Sequence, residues 1–323
     1  MSYPVSAGSP GNGAVAPDVA YSGTFIPTIW SGKLIEKFYD ATVLAAIANT
    51  DYAGEITNQG DKVVIRTKPT ITINNYVADG TLSTERPSSN IVELLIDQGK
   101  YFSTILDDVM EIQADLNMLG MWADDASEQM KITIDTDVLA YMLGEADANN
   151  SGTTAGRISN NINLGVTTNP VDLVARPDGT NTEVIDLIVG MGQALDEQNI
   201  PETGRWLVIP AWVASMIKRS ELRDASLSGD GVSLSRNGRL GMIDRFTLYS
   251  SNLLPADVAG GLAAGEYAMF AGHSHAMTFA SQLTKMETLR AETTFGTIMR
   301  GLQVYGRKVT DGTALVEAIV AKA

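Results

Sequence analysis

Between about Asp107 and Gly144 the apolar positions Val109, Ile112, Leu116, Leu119, Ala123, Ala126, Met130, Ile134, Val138 and Tyr141 step by three or four residues. That spacing keeps one face of a helix apolar. It predicts one long helix, with Asp108 and Glu111 as a capping box at its start and Gly144 as its stop. Such a helix would run roughly 55 Å at 1.5 Å per residue, against an average of about 11–12 residues in globular proteins. Its polar side carries ten carboxylates (Asp107, Asp108, Glu111, Asp115, Asp124, Asp125, Glu128, Asp135, Asp137 and Glu145) against the single base Lys131. A solvated face accounts for this, and so does a face that repels a polyanion or meets basic groups of another subunit.

From Gly54 to about Phe102 the period changes to two. Val63, Ile65, Ile71 and Ile73 alternate with Lys62, Arg66, Thr70 and Thr72, and a return run with Val92, Leu94 and Ile96 follows Asp79-Gly80 and Pro87-Ser88-Ser89. The pattern predicts a long hairpin, which alone is marginally stable in water. It either packs on this chain's own core or projects to be completed by another molecule. Its bases Lys62, Arg66, Lys68, Arg86 and Lys100 are scattered surface charges or partners for acidic faces elsewhere.

Residues 1–29 are rich in Pro and Gly, with Asp18 as the single charge, so they form an arm without a regular element. Val19, Tyr21, Phe25, Ile26, Ile29 and Trp30 are many apolar groups to leave in water. The second half of the arm is therefore expected to be a strap lying on its own subunit or a neighbour. Ser31 caps a short helix with Leu34, Ile35, Phe38, Tyr39, Thr42 and Ala45/Ala46 on one face. After a Gly/Asn/Thr-rich loop from Asn149 to Pro170, Val184, Leu187, Ile188, Met191 and Leu195 build another amphipathic helix. Arg205 to Pro210 is a short buried strand, followed by a helix from Ala211. That alternation predicts a separate α/β lobe over 181–282, with a mobile loop at Ser226 to Arg239. From Leu283 to Val309 a strand-like alternation returns beside the long helix, with Gly296, Gly301 and Gly306 marking bends or close approaches.

Composition narrows the function. With 323 residues, 44% of them hydrophobic, the chain buries a substantial core. A net charge of −15 argues against neutralising phosphates of DNA or RNA, and zero cysteines exclude disulfides, thiolate catalysis and cysteine-held metals. No apolar run is long enough to span a membrane. Gly272-His273-Ser274-His275-Ala276 approximates a nucleophile elbow, but both histidines of the chain flank the serine and a strand is expected to follow. His273 and His275 supply two metal ligands at most. Gly190-Met191-Gly192 sits inside a helix, not at a phosphate-binding turn. No catalytic, cofactor or metal site is therefore assigned.

The order of elements, with Phe25-Ile-Pro27 to Trp30, Gly60-Asp-Lys-Val-Val-Ile65, Leu195-Asp-Glu-Gln-Asn-Ile-Pro201, Gly204-Arg-Trp-Leu-Val-Ile-Pro210, Gly241-Met-Ile-Asp-Arg-Phe246 and Leu302-Gln-Val-Tyr-Gly-Arg-Lys-Val309, resembles the major capsid (coat) proteins of tailed double-stranded-DNA bacteriophages. The resemblance covers nearly the whole chain. It implies an α+β, Hong Kong phage-type major capsid fold with an N-terminal arm (1–29), an N-terminal helix (30–53), an extended hairpin loop (54–103), a peripheral domain with a spine helix (104–180), an axial domain (181–282) and return strands (283–323).

The implied function is a shell of pentamers and hexamers, an icosahedral or prolate head enclosing double-stranded DNA without sequence-specific contact. An acidic chain suits DNA that must be packed and then ejected. A separate scaffolding protein, a portal and decoration proteins are the implied partners, and assembly in the host cytoplasm leads to the virion. Candidate subunit-interface residues are Phe25, Ile26, Trp30, Val63, Ile65, Arg66, Lys68, Ile71, Ile73 and Arg86. The rival readings are an encapsulin-like nanocompartment shell, a decoration or tube protein, and a hydrolase built on Ser274.

Overall fold

The computed structural model describes residues 39–40, 42–51, 62–69, 71–76, 78, 81–89, 91–113, 118–220 and 241–323. The expected arm, most of the helix after Ser31, and the expected mobile loop at 226–239 lie outside them.

The centre is a seven-stranded sheet of order β5-β4-β12-β9-β6-β8-β7. Its strands are β4 (Val171–Val174), β5 (Thr182–Glu183), β6 (Arg205–Ile209), β7 (Met242–Ile243), β8 (Phe246–Ser250), β9 (Glu266–His273) and β12 (Leu315–Lys322). β6 is buried at every position, because both faces of the sheet are covered. Leu207 and Ile209 turn to one cluster with α4 (Val184–Glu197) and α5 (Ala211–Arg219). Trp206 and Val208 turn to the other, where Ile134, Val138, Leu139 and Met142 of α3 (Met118–Met142) meet Val43 and Ile47 of the segment around α1 (Leu44–Ile47). Helices thus cover both faces.

This arrangement corrects the expected lobe. β4 and β12, from outside 181–282, fill the middle and flank of its sheet, and the end of the long helix forms part of its core. The parallel pairing of Val320 with Val171 joins segments that no local sequence pattern connects.

The turn into β6 explains a motif. Arg205 is fully buried, donating from Nε to the Pro201 carbonyl (2.9 Å) and from Nη2 to Asp196 (2.7 Å) and the Ile200 carbonyl (2.6 Å). The guanidinium closes the loop between α4 and the sheet, while Gly204, at φ +78°, takes the left-handed turn that precedes it.

A second, three-stranded antiparallel sheet has the order β10-β11-β3: β3 (Gln98–Asp107), β10 (Met277–Arg290) and β11 (Gly296–Val309). All three glycines of β11 are close approaches, as expected. A Cβ at Gly296 would lie 2.6 Å from the Leu106 carbonyl oxygen, at Gly301 it would overlap the Phe102 ring, and at Gly306 it would overlap the Leu95 carbonyl. β3 runs into α2 (Asp108–Gln113), then α3. The expected stop holds: α3 ends at Met142 and Gly144 has φ +79°. The expected cap does not, since Val109 N–H bonds to Asp107 (2.9 Å) while Asp108 pairs with Arg290. The apolar stripe is also not uniformly covered, because Val109 and Ile112 are exposed.

The hairpin is shorter than its alternation suggests. β1 (Lys62–Arg66) pairs with β2 (Ile91–Leu95) in register Lys62↔Leu95 to Arg66↔Ile91. Ile71 and Ile73 lie beyond that ladder, outside any strand. Pro69 lacks the N–H that a continued ladder would use, and Pro87 stands on the returning side.

Candidate functional site

Alternation along β3 sets the surfaces. Lys100, Phe102, Thr104 and Leu106 turn inward, with Ala126, Met130 and Thr133 of α3 lining the space against Lys100 and Phe102. The other face bears three rows across the sheet: Lys285–Leu302–Tyr101, Glu287–Arg300–Ser103 and Leu289–Ile298–Ile105. Tyr101, Ile105, Leu289 and Leu302 are exposed apolar groups. Between them Glu287 pairs with Arg300 and with Lys285 (3.1 Å). Hydrogen bonds from these two bases hold its carboxyl below the usual range.

The acidic side of the long helix is occupied largely by this chain's own groups. Asp108 binds Arg290 (2.9 Å), Asp125 accepts from the Tyr39 hydroxyl (2.9 Å), and Glu145 lies 3.7 Å from Lys308. Asp137 meets Arg307, the Tyr305 hydroxyl (2.7 Å) and Lys100 (4.0 Å). Burial, with the Asp97 charge, pushes the Tyr305 hydroxyl up to about 12. Asp135 is not on the polar side at all: it is buried and accepts from the backbone N–H groups of Val43 (3.0 Å) and Leu44 (2.9 Å). The basic partners come from β3, β10 and β11, so the acidic stripe is where the returning strands dock. Sequence alone offered solvent, a repelled polyanion or another subunit.

Among the candidate interface residues, Phe25, Ile26 and Trp30 lie outside the described residues. Val63 and Ile65 are partly buried against this chain's own Leu94, Ala280 and Ile96, so this face of the hairpin base is completed within the subunit. Its opposite face leaves Val64, Ile91 and Leu95 exposed. Arg66, Lys68, Ile71, Ile73 and Arg86 are all exposed. Tyr76 and Leu82, which the alternation did not single out, share that exposure, at 78% and 77%, with Ile73 at 89%. Thr72 N–H donates to Glu85 (2.7 Å) across this far end.

Ser274 lies in the turn between β9 and β10, and a strand does follow it. Its neighbours His273 and His275 stack with centroids 5.2 Å apart, and His273 Nδ1 accepts the His275 N–H (3.2 Å). Burial, then the charges of His275 and Arg205, lower the His273 pKa. Among the described residues no group of three His, Asp or Glu could hold a metal, and no helix is long and apolar enough to cross a membrane.

The family model for phage capsid protein matches residues 91–318. The chain belongs to that family. The capsid protein also superposes on solved structures along nearly its whole length. A protein of Mycobacterium phage Che8 is 26% identical, with a TM-score of 0.72 over 93% of this chain and 98% of that one. The capsid of cyanophage P-SCSP1u is 14% identical, with a TM-score of 0.70 over 93% and 94%. The capsid of a native GTA particle is 14% identical, with a TM-score of 0.66 over 96% and 100%. No curated protein matches the chain in sequence. The fold is therefore the Hong Kong phage-type capsid fold, and the protein is a major capsid protein of tailed phages that assembles into the shell of the head. An encapsulin-type compartment is not favoured.

Proposed function

We propose that copies of this capsid protein associate as pentamers and hexamers into an icosahedral or prolate head that holds double-stranded DNA without reading its sequence. In this reading the seven-stranded sheet and its helices form the axial part, the spine helix and the three-stranded sheet form the peripheral part, and the hairpin reaches over a neighbouring subunit. The observation that carries it is the far end of the hairpin, where Ile71, Ile73, Tyr76 and Leu82 are exposed beyond the last ladder pair. A subunit that stayed alone would leave these groups in water, and such patches mark protein contacts. Arg66, Lys68 and Arg86 on the same projection give it a basic rim suited to an acidic neighbour, and the chain's net charge of −15 supplies one.

The net negative charge also suits a container for DNA, since a wall of excess Lys and Arg would grip the phosphates. A separate scaffolding protein, a portal at one vertex and decoration proteins complete the assembly, which takes place in the host cytoplasm. The test is replacement of Ile71, Ile73, Tyr76 and Leu82 by Ser. Soluble subunits that no longer close into shells are expected, and normal shells from this variant would contradict the role of the hairpin.

A further inference from the structure

Among the described residues, one edge of the three-stranded sheet carries no strand where its sequence is self-complementary. Among the described residues β11 is the one strand that pairs with β10. On its other side Asn49 donates its N–H to the Met277 carbonyl (2.8 Å) and accepts from Phe279 N–H (3.0 Å). Beyond Phe279 no strand among the described residues pairs with that edge up to Arg290. An edge of this length invites another strand unless Pro, a short strand, a bulge or an edge charge blunts it. Between Ala280 and Arg290 there is no Pro, and the edge charges Lys285 and Glu287 are ones that a twofold pair would match. The β-bulge at Ser281/Leu283 ends before Thr284, so it leaves the rest of the strand regular.

The sequence of that stretch, Leu283-Thr284-Lys285-Met286-Glu287-Thr288-Leu289, reads the same in both directions except at Lys285 and Glu287, which exchange sign. An antiparallel pair of two copies with its twofold axis at Met286 places Leu opposite Leu, Thr opposite Thr, and Lys285 of each copy opposite Glu287 of the other. Opposite charges facing one another across strands stabilise pairing, whereas a twofold that brought like charges together would oppose it. Lys285 and Met286 are exposed, and Lys285 already approaches its own Glu287, so its ammonium needs only a small turn to reach the mate's carboxylate.

We propose that β10 pairs edge to edge with β10 of a second copy, antiparallel and centred on Met286, so that two three-stranded sheets join into one of six strands. The contact is isologous, as a twofold requires. This rests on the shell reading and names the contact that would operate at its local twofold axes.

The chain has no cysteine, which makes the test direct. In the proposed pair the two Met286 Cα atoms lie roughly 4.5–5.5 Å apart, within disulfide range. Shells of the Met286→Cys protein are expected to become disulfide-linked dimers under mild oxidation. Thr284→Cys and Thr288→Cys shells are expected to link poorly alone and well when the two proteins are co-assembled. Intact Met286→Cys shells that stay monomeric on non-reducing gels overturn the pairing and leave the shell reading standing. Self-linking of Thr284→Cys as fast as Met286→Cys overturns the register.

Should Met286→Cys not assemble, charge reversal decides. Lys285→Glu and Glu287→Lys are each expected to lower shell yield about tenfold, as two like-charge pairs replace two opposite ones, and mixing them restores it. Yields unchanged by either reversal, or not rescued by mixing, overturn the proposal.

Discussion

Asp135 of α3 caps a helix that begins 91 residues earlier in the chain, accepting the N–H of Leu44 at 2.9 Å and that of Val43 at 3.0 Å. The four-residue α1 has no side-chain cap of its own, and its first N–H groups would otherwise be buried unpaired. This carboxylate adds a polar tie between α3 and the segment leading toward the hairpin, beside the packing of Val43 and Ile47.

Asp135→Ala is expected to lower the stability of the unassembled subunit by about 1–3 kcal/mol, the cost of leaving buried donors unsatisfied. Burial raises the Asp135 pKa above its ordinary 3.8, against the pull of the two backbone donors. A raised pKa contributes stability below 3.8 that is lost as pH rises through the folded value. Denaturant unfolding should therefore show wild type declining relative to Asp135→Asn as pH rises from 3.8. A difference independent of pH would contradict this.

Glu197 predicts the opposite sign. Partial desolvation alone would raise its pKa, but hydrogen bonds from Ile158 N–H, Gln193 and Ser159 N–H outweigh it and hold the group at about 2. A depressed pKa contributes stability above the ordinary value of 4.5 that is lost as pH falls toward 2. The stability gap between wild type and Glu197→Gln should be widest near neutrality and close across that window. A gap that widens on acidification would rule out this role for the carboxylate.

Gly301 faces Phe102 in the ladder, and the ring occupies the space a Cβ would need. Gly301→Ala is expected to destabilise the subunit by about 1–3 kcal/mol through overpacking. In a Phe102→Ala background the same change should cost much less. Additive effects in the double-mutant cycle would show that the ring does not set the requirement for glycine.

The hairpin divides into two parts with different readouts. Val63→Ser and Ile65→Ser remove groups packed beside Leu94 and Ala280, so they should lower subunit stability, by about 1–2 kcal/mol each for half-buried side chains. Ile71→Ser and Ile73→Ser remove exposed groups and should leave the unfolding midpoint of the subunit unchanged while reducing shell yield. The reverse pattern would place the assembly contact at the base instead.

The parts of the fold that were legible in the sequence are those set by short-range periodicity. The end of α3 before Gly144, the fully buried β6 and the three close approaches at Gly296, Gly301 and Gly306 are all expressed in local residue types. Contacts between distant segments were not. The insertion of β12 beside β4, the docking of Arg290 and Arg307 on the acidic helix, and the burial of Asp135 depend on pairings across more than 90 residues, which carry no local signal. The alternation of apolar residues continues past Pro69 and so predicts a longer hairpin than the ladder, which spans Lys62–Arg66 and Ile91–Leu95 and stops short of Pro69 and Pro87. Among the described candidate interface residues Arg66, Lys68, Ile71, Ile73 and Arg86 are exposed, whereas periodicity does not mark the equally exposed Tyr76 and Leu82, which fall outside the alternation.

The most direct test of the whole account is electron microscopy of the purified protein, expressed alone and together with a scaffolding protein. Closed shells tens of nanometres across, or capsomer rings when scaffold is withheld, are the predicted result. A uniform small oligomer under both conditions would contradict it.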